Sequence, residues 1–356
     1  MIETKKTSNF KVDDINFEKR KKDHIEYSLD PNSQWEYISG LANIQLLHDA
    51  LPELDFSEIE IGETSLGYNW NCPIFVSSMT AGNKEGERIN EVITDACSSK
   101  NWLMGVGSQR KELFDSEAAQ EWKKLKISYP KIKWAANLGI TQLIQIDIMQ
   151  VEKLLDNLEA VALFIHLNPL QESLQLEGTP HFRGGVEKII NLTERLKIPI
   201  IVKEVGCGIS EVTAMKLRTA KLTAIDVSGL GGTHWGRIEN LRTPTTHELY
   251  SVGQNFKDWG IDTVESLLCL SQLNLPFELW ASGGVRSGVD VAKLIALGAK
   301  MVGVAQPFLK ASLKGVDSVI ELMNQFESEL KIAMFCTGIK NTNDLRARKV
   351  WKWKNK

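Results

Sequence analysis

The sequence predicts an α/β fold, a (β/α)8 TIM barrel with an N-terminal extension. From about residue 70, short apolar runs alternate with longer amphipathic segments. The runs are rich in Val and Ile and do not alternate with polar residues, as expected for parallel strands that are buried on both faces. Eight such runs separated by helical segments are the pattern of a closed barrel. A doubly wound open sheet is the alternative, because the number of strands does not by itself exclude it.

The predicted strands and helices can be assigned in chain order. The strands are Pro73–Ser78, Leu103–Ser108, Lys133–Gly139, Ala160–Asn168, Pro199–Val205, Leu222–Gly229, Glu278–Gly284 and Met301–Pro307. Helical spacing of apolar residues marks intervening segments such as Gly185–Lys197, Ser210–Ala220 and Gly288–Gly298. Ser210 and Ser287 are predicted N-caps. A last helix is predicted over Gly315–Thr337, and Gly338 ends it.

The chain divides into three predicted regions. Residues 1–70 are charged, with a Lys-Arg-Lys-Lys cluster at 19–22 and few strand signals, and form an N-terminal arm. Residues 71–338 form the barrel, and residues 339–356 form a basic C-terminal tail. A charge run is usually a solvated surface, so the residues by themselves assign no function to the arm.

Composition restricts the class of protein. The hydrophobic fraction of 43% is sufficient for a large core, and 42 basic against 45 acidic residues leave a net charge of −3. Without a basic excess we expect no nucleic-acid partner. The five cysteines are scattered without CxxC spacing, which favours reduced thiols. The N-terminus lacks the apolar region of a signal peptide and no membrane-length apolar run occurs, so we expect a soluble cytoplasmic protein.

Polar residues cluster directly after the predicted strands, and in a barrel these loops form the active face. The seventh strand ends in Ser282–Gly288 and the eighth in Gly303–Pro307. Glycines there let backbone N–H groups approach a phosphate, and a following helix adds its dipole. We therefore favour a phosphate site over the alternative that these glycines serve only tight turns.

Lys203 lies in an otherwise apolar fifth strand, where a charge is unfavourable without a partner. An ion pair with Glu204 is one explanation, but neighbouring strand residues face opposite ways. We therefore predict that Lys203 donates to an anionic ring or phosphate. The Gly-rich loop Asp226–Trp235 after the sixth strand suits close contact with a bulky cofactor. His234 in that loop suggests a general base, although a lone histidine is more often structural.

The fourth strand ends in the segment His166–Glu172, which carries an imidazole, two amides and a carboxylate. A glutamate among amides can hold Mg²⁺ when diphosphate oxygens and water complete the shell. Arg110, after the second strand, is suited to grip phosphate, and a rim salt bridge is the alternative. Short polar groups after the first and third strands would line a planar heteroaromatic ring.

Together these motifs resemble the type 2 isopentenyl diphosphate isomerases, which are FMN-dependent isopentenyl-diphosphate delta-isomerases on a TIM barrel. The likeness extends from about residue 20 to residue 310. RKKDHI at 20–25 is similar to the family's RKxEHI, and HLNPLQE at 166–172 matches its most specific motif, HLNxxQE. KEVGCGIS at 203–210 and VSGLGGTHW at 227–235 match KEVGxGIS and VSGxGGTxW. The resemblance therefore turns the basic arm into a contributor to the active site.

The resemblance implies a role for each matched residue. Gln171 would lie near the reacting hydrocarbon, Glu239 would be an acid/base candidate, and Glu172 would bind Mg²⁺. The substrate-binding residues would be Arg20, Lys21, Ser108, Gln109, Arg110, His166, Asn168 and Gln171. The FMN contacts would be Ser77, Ser78, Met79, Thr80, Ser108, Asn137, Lys203, Ser228 and Thr233. The FMN phosphate would lie on Gly284, Val285, Arg286, Ala305 and Gln306.

The implied reaction converts isopentenyl diphosphate to dimethylallyl diphosphate, by proton addition and removal mediated by reduced FMN, in isoprenoid biosynthesis. Ordinary side-chain acids are poorly matched to an unactivated alkene, so a cofactor is physically reasonable. NADPH would reduce the flavin, and the family implies a homo-oligomer, a tetramer or octamer. The sequence departs from the family at Thr179, where EGDxxF loses its Asp, and at His234, where Ser or Asn is more usual.

Other functions are compatible with a flavin barrel. An FMN-dependent 2-hydroxy-acid oxidase or dehydrogenase has HGGR after the sixth strand, whereas this chain has GGTHWGR at 231–237. An IMP-dehydrogenase-like enzyme needs a cysteine after the sixth strand, and Cys207 follows the fifth. A non-catalytic flavin-binding barrel is a further alternative, disfavoured by the pairs Gln171–Glu172 and Arg20–Lys21.

Overall fold

The computed structural model of the protein describes residues 14–36, 39–80, 83–115 and 117–354. Within these ranges eight parallel strands form one sheet. They are β1 (Ile74–Val76), β2 (Leu103–Gly105), β3 (Lys133–Gly139), β4 (Ala162–His166), β5 (Ile200–Lys203), β6 (Ala224–Asp226), β7 (Glu278–Trp280) and β8 (Val302–Val304). Neighbours pair in the order β7-β6-β5-β4-β3-β2-β1-β8. A parallel bridge from Ala281 to Val302 joins β7 to β8, so the sheet closes. The predicted barrel is confirmed, and each predicted strand contains an observed one.

The strands are buried on both faces, as their composition predicts. Inside the barrel, Phe75 packs against Phe164 and Trp280 with ring centroids 5.7 and 5.2 Å apart. Small residues such as Ala135 and Ala162 lie beside these rings in the same cluster. Large and small side chains thus fill the interior together, which leaves the barrel packed and places function at its ends.

Helices surround the sheet on its outer face. The longer ones are Lys84–Lys100, Gln120–Ser128, Ile148–Leu158, Gly185–Arg195, Thr263–Ser271, Gly288–Ala296 and Val316–Phe335. Shorter ones are Ile140–Leu143, Pro169–Leu174, Glu211–Lys216, Trp235–Arg242, Glu248–Asn255, Gln306–Ser312 and Thr342–Ala347. Ser210 and Ser287 accept hydrogen bonds from the backbone of Thr213 and Asp290, which confirms both predicted caps. In these ranges none of the helices has the length and apolar character needed to cross a membrane.

The structure adds strands to the two terminal regions. The hairpin Glu63–Ser65 and Tyr68–Trp70 inserts Leu66 and Trp70 into the inner cluster, which closes the N-terminal end of the barrel. Strand Trp351–Trp353 pairs antiparallel with Ile44–Leu46. The C-terminal tail is therefore packed against the arm, because its tryptophans contact the core while its lysines face outward.

A helix at Asp14–Leu29, hereafter the arm helix, contacts helix Trp235–Arg242 beside the C-terminal ends of the strands. The chain after it runs along the loop that follows β6: the Trp35 amide donates to Gly232 at 2.7 Å. The charged arm, which sequence patterns class as solvated surface, thus lies over the barrel mouth. Its predicted residues 1–13, and residues 355–356 of the tail, lie outside the described ranges.

Candidate active site

A cavity of about 830 Å³ opens where the arm helix meets the C-terminal ends of the strands. It is lined by residues of the arm and by residues in or after β1 to β6. Its lining includes the predicted residues Arg20, Lys21, Ser78, Met79, Thr80, Ser108, Arg110, Asn137, His166, Asn168, Gln171, Glu172 and Lys203. Side chains separated by most of the chain therefore meet in one place.

A second cavity of about 560 Å³ adjoins the first, and the two share Ser78, Lys203, Val205 and Trp235. It is lined by the remaining residues predicted to contact FMN, which are Ser77, Ser228, Thr233, Gly284, Val285, Arg286, Ala305 and Gln306. After the occupants that the resemblance implies, we call the first the substrate cavity and the second the flavin cavity. Every residue predicted to contact FMN lines one or the other.

Lys203 has a partner that sequence reasoning missed. It is only 5% exposed, and its Nζ lies 3.6 Å from Asp226 Oδ2 on the adjacent strand β6, in register. Burial raises the pKa of Asp226, and Lys203 opposes that effect. Glu204 faces away and accepts hydrogen bonds from the backbone of its own loop. The signal for Asp226 is an acidic residue at the end of a buried strand, which only strand pairing connects to Lys203.

Glu239 lies behind the wall of the substrate cavity, on helix Trp235–Arg242, and is 1% exposed. Its carboxylate oxygens face His24 Nε2 at 2.9 Å, Gln171 Nε2 at 3.0 Å and Arg242 at 2.5 Å. Burial raises the pKa of Glu239, but His24 and Arg242 outweigh it and lower the pKa to about 2. Glu239 is thus a permanent carboxylate that reaches the cavity through His24 and Gln171.

His24 and Arg242 were not predicted as site residues. Burial lowers the pKa of His24, so the neutral imidazole donates from Nε2 to Glu239 when the proton is assigned there. His24 also contacts Trp235 edge to face, with centroids 5.0 Å apart. Its place in the arm motif is the signal that could have identified it, whereas Arg242 is recognisable only as an i+3 partner of Glu239.

The loop after β4 forms the candidate metal centre. Asn168 Nδ2 donates to Gln171 at 2.9 Å and to Glu172 at 3.3 Å, and the Thr179 amide donates to Glu172 at 2.7 Å. Asn168 Oδ1 is buried and receives no hydrogen bond from the described part of the chain. A hard cation bound by Glu172 would satisfy that oxygen as well, so these residues fit Mg²⁺.

No cluster of three or more His, Cys, Asp or Glu side chains suited to a metal occurs among the residues that the structure describes. Glu172 would therefore share the ion with oxygens of a bound anion and with water, as is usual for Mg²⁺. Thr179, which departs from the family motif, is the residue whose amide orients that carboxylate.

The cavity also carries three cations, because Arg20, Lys21 and Arg110 all line it. Burial and then the charges of Arg20 and Arg110 lower the pKa of Lys21 to about 7. Burial and then Arg110 likewise lower the pKa of Arg20. Three cationic side chains on the wall of one cavity fit a multiply charged anion.

His166 presents a neutral imidazole to the cavity. Burial, followed by Lys203 and Lys21, lowers its pKa to about 3. His166 Nδ1 lies 2.9 Å from Asn137 Oδ1 and can donate to it, which leaves Nε2 as an acceptor. Gln109, predicted to contact substrate, instead lies behind the wall, where its Oε1 accepts from the Asn137 amide at 3.1 Å.

The flavin cavity carries two features that fit a phosphorylated ring. Within the described ranges, Ser77 Oγ and Ser78 Oγ are buried without a hydrogen-bond partner, as is Thr80 Oγ1 in the adjoining substrate cavity, so these hydroxyls can contact polar atoms of a ring. Gly284 has a φ of +80°. A Cβ atom on Gly232 would lie 2.8 Å from the backbone nitrogen of Gly284. Only glycines allow these loops to approach so closely, and the arrangement fits a phosphate held by backbone amides.

His234 is not placed for catalysis. Its Nδ1 accepts from the Arg237 amide at 3.1 Å, and its Nε2 lies 3.0 Å from the Trp259 carbonyl oxygen. It lines neither cavity, so the base that a 2-hydroxy-acid oxidase would require is not supplied by this residue. Burial raises the pKa of Cys207, which disfavours a thiolate nucleophile.

Comparison with known proteins agrees with this geometry. Residues 168–352 match the family described as FMN-dependent dehydrogenase. The isopentenyl-diphosphate delta-isomerase of Bdellovibrio bacteriovorus is 49% identical, over 94% of this chain and 97% of that protein. The proteins of the same name from Legionella pneumophila strain Corby and Halobacterium salinarum are 46% and 39% identical, over 93% and 94% of this chain and 97% and 93% of theirs.

Solved structures share the fold at lower identity. The flavin-binding domain of baker's yeast flavocytochrome b2 is 20% identical with a TM-score of 0.63, over 93% of this chain and 79% of that one. Pediococcus acidilactici lactate oxidase is 18% identical with a TM-score of 0.64, over 94% and 93%. At such identity these likenesses show the barrel alone.

Fold, cavities and family match define an FMN-dependent (β/α)8-barrel enzyme. Within that class, the chain belongs to the isopentenyl-diphosphate delta-isomerase family.

Proposed function

We propose that this protein isomerises isopentenyl diphosphate to dimethylallyl diphosphate, using reduced FMN and Mg²⁺, with NADPH as the reductant of the flavin. The observation that carries the proposal is the substrate cavity itself. It brings three cations, Arg20, Lys21 and Arg110, into one lining with a glutamate suited to Mg²⁺, and it adjoins the flavin cavity. Names of relatives covering nearly the whole chain support the same substrate.

The diphosphate would bind between Arg20, Lys21 and Arg110 on one side and Mg²⁺ on Glu172 on the other. These contacts lie away from the reacting carbons, so their binding energy positions the hydrocarbon. Asn168 holds Gln171 and Glu172 in fixed orientation through its amide. The metal ligand and the residue facing the hydrocarbon are thereby linked by one side chain.

FMN would be held by the residues of the flavin cavity, with Lys203 toward the ring and Arg286 toward the phosphate. When bound, reduced FMN supplies proton donation and acceptance matched to an unactivated alkene, without net redox change. Asp226 Oδ2, 3.6 Å from Lys203 Nζ, would hold the Lys203 side chain in place beside the cavity. His24 would hold a proton at Nε2 through its hydrogen bond to Glu239, which also accepts from Gln171. Trp235 lines both cavities.

The geometry of the site does not favour the hydroxy-acid oxidase alternative, because His234 is buried and lines neither cavity. A non-catalytic barrel would not account for the hydrogen-bond network of Glu239 or for the candidate metal centre at Glu172. One assay distinguishes both alternatives from an isomerase.

The assay uses protein stripped of flavin under anaerobic conditions. Isopentenyl diphosphate, FMN, NADPH and Mg²⁺ are added, and dimethylallyl diphosphate is measured by NMR. We expect product only when flavin and reductant are both present. Product formed without either, or turnover of lactate or mandelate in place of isopentenyl diphosphate, would contradict the proposal.

Substrate binding should depend on the protonation of Lys21. Since its pKa is about 7, the ammonium loses its charge as the pH rises. If only the charged form binds diphosphate, KM should rise about tenfold between pH 6 and pH 8. Lys21→Arg stays charged across this range. Titration of the substrate affects both proteins alike, so it cancels in the ratio of the wild-type KM to the Lys21→Arg KM. A ratio that does not vary with pH would refute the assignment.

We further infer a homo-oligomer, a tetramer or octamer, working in the cytoplasm. Exposed apolar side chains such as Trp259, 61% exposed, and Leu51, 74% exposed, support association. All five cysteines are free, in keeping with a reducing compartment. Sedimentation of the purified protein tests the oligomeric state, and a monomer at micromolar concentration would contradict it.

A further inference from the structure

Gln34 lies just beyond the arm helix and reaches across to the flavin cavity. Its Nε2 donates to Thr233 Oγ1 at 3.1 Å and to the Ser28 carbonyl oxygen at 3.0 Å. Its Oε1 accepts a hydrogen bond of 3.0 Å from Arg286. One amide therefore contacts the end of the arm helix and two residues that line the flavin cavity.

The same junction has further links. Gln34 and Thr233 form an antiparallel bridge, and the His234 amide donates to the Ser33 carbonyl oxygen at 2.9 Å. Gln306, on the other side of the flavin cavity, donates to the Ser28 carbonyl oxygen at 3.4 Å. The segment from Ser28 to Gln34 thus contacts residues from the loops after β6, β7 and β8.

We propose that Gln34 is a positioning residue that couples the flavin phosphate to the substrate-binding arm, an inference that rests on the proposed function. The amide oxygen orients the Arg286 guanidinium without neutralising it, so the cation remains available to an anion. A carboxylate at position 34 would hold Arg286 equally well but would cancel its charge.

The other half of the amide acts on the arm. By bonding to Ser28, Gln34 secures the C-terminal end of the helix that carries Lys21 and His24 into the substrate cavity. Ordering Arg286 and Thr233 on a phosphate should therefore also order the arm. By reciprocity, an anion bound to the arm must strengthen FMN binding by the same factor.

The test measures FMN affinity of flavin-free protein by flavin fluorescence, with and without Mg²⁺ and inorganic diphosphate. Gln34→Ala should weaken FMN binding about tenfold, since it removes hydrogen bonds to a charged group. We expect Mg²⁺ and inorganic diphosphate to tighten FMN binding to the wild type, and Gln34→Ala to abolish that tightening. Riboflavin, which lacks the phosphate, should bind both proteins equally, a result that general loosening of the fold would not give.

Asn32→Ala is the matched control, because Asn32 is an exposed residue of the same turn whose side chain donates to Asp30 at 2.9 Å. It should bind FMN like the wild type. Gln34→Glu provides a second variant if Gln34→Ala folds poorly: it keeps a contact to Arg286 but should still weaken FMN and spare riboflavin.

Unchanged FMN affinity in both Gln34 variants, or equal losses for FMN and riboflavin, would overturn the inference. The proposed function is tested separately, since inorganic diphosphate and riboflavin report on binding without turnover. If the wild type is inactive but the Gln34 variants still weaken FMN binding and spare riboflavin, the isomerase proposal is contradicted and the role of Gln34 is supported.

Discussion

Glu172→Gln should abolish Mg²⁺-dependent turnover, lowering kcat/KM by about a thousandfold while FMN stays bound. The amide has the shape of the carboxylate, and its oxygen can still accept from Thr179, so the loop should keep its conformation. What is lost is the negative charge that would hold the metal against the diphosphate.

The measurement is kcat/KM against Mg²⁺ concentration, with flavin absorbance to confirm that FMN is retained. Glu187→Gln, at an exposed glutamate in the first turn of helix Gly185–Arg195, is the matched control and should behave as the wild type. A Glu172→Gln enzyme that keeps full activity and its Mg²⁺ dependence would show that the metal is bound elsewhere.

Glu239→Gln should lower kcat by about a hundred- to ten-thousandfold with little change in KM. Glu239 lines neither cavity, so it contributes to catalysis only through His24 and Gln171. Removing its charge leaves His24 without the carboxylate that orients it. Because both residues act as one unit, the double variant with His24→Gln should be about as impaired as the single variants.

The same change should alter acid stability. Since the pKa of Glu239 falls from an ordinary 4.5 to about 2, its carboxylate contributes stability above pH 4.5 that is lost as the pH falls towards 2. Glu239→Gln lacks this contribution at every pH. The urea concentration at its unfolding midpoint should therefore be lower than that of the wild type at pH 7, and the two midpoints should converge at acid pH. Glu248→Gln, at an exposed glutamate on the next helix, is the control.

Equal kcat values for the wild type and Glu239→Gln would show that Glu239 has no part in the mechanism.

Much of the barrel could be predicted because a strand buried on both faces needs a continuous apolar run, which is visible locally. Its closure could not, since that depends on the pairing of Ala281 with Val302 across the sheet. In the same way, Lys203 was recognisable as an unusual buried cation. Its partner required the register of β5 against β6, which places Asp226 beside it.

The arm shows the division most clearly. Its RKKDHI motif pointed to Arg20 and Lys21 by resemblance, but charge patterns by themselves predict only a solvated surface. Gln34 carries no signal at all, because an isolated glutamine before a tryptophan is compatible with any loop. It acquires a role from the close approach of three separate loops to the end of the arm helix.

From the sequence by itself came the barrel, the strand-end positions of the polar residues and the family resemblance, because each is written in local spacing and residue type. Only the tertiary structure decided which of these residues face one another. Glu239 lies behind the cavity wall and accepts from His24, which lines the cavity. Gln109 accepts from the backbone amide of Asn137, and Gln34 accepts from Arg286. Hydrogen bonds and ion pairs act over a few ångströms, so they join residues by distance in space, whatever their separation along the chain.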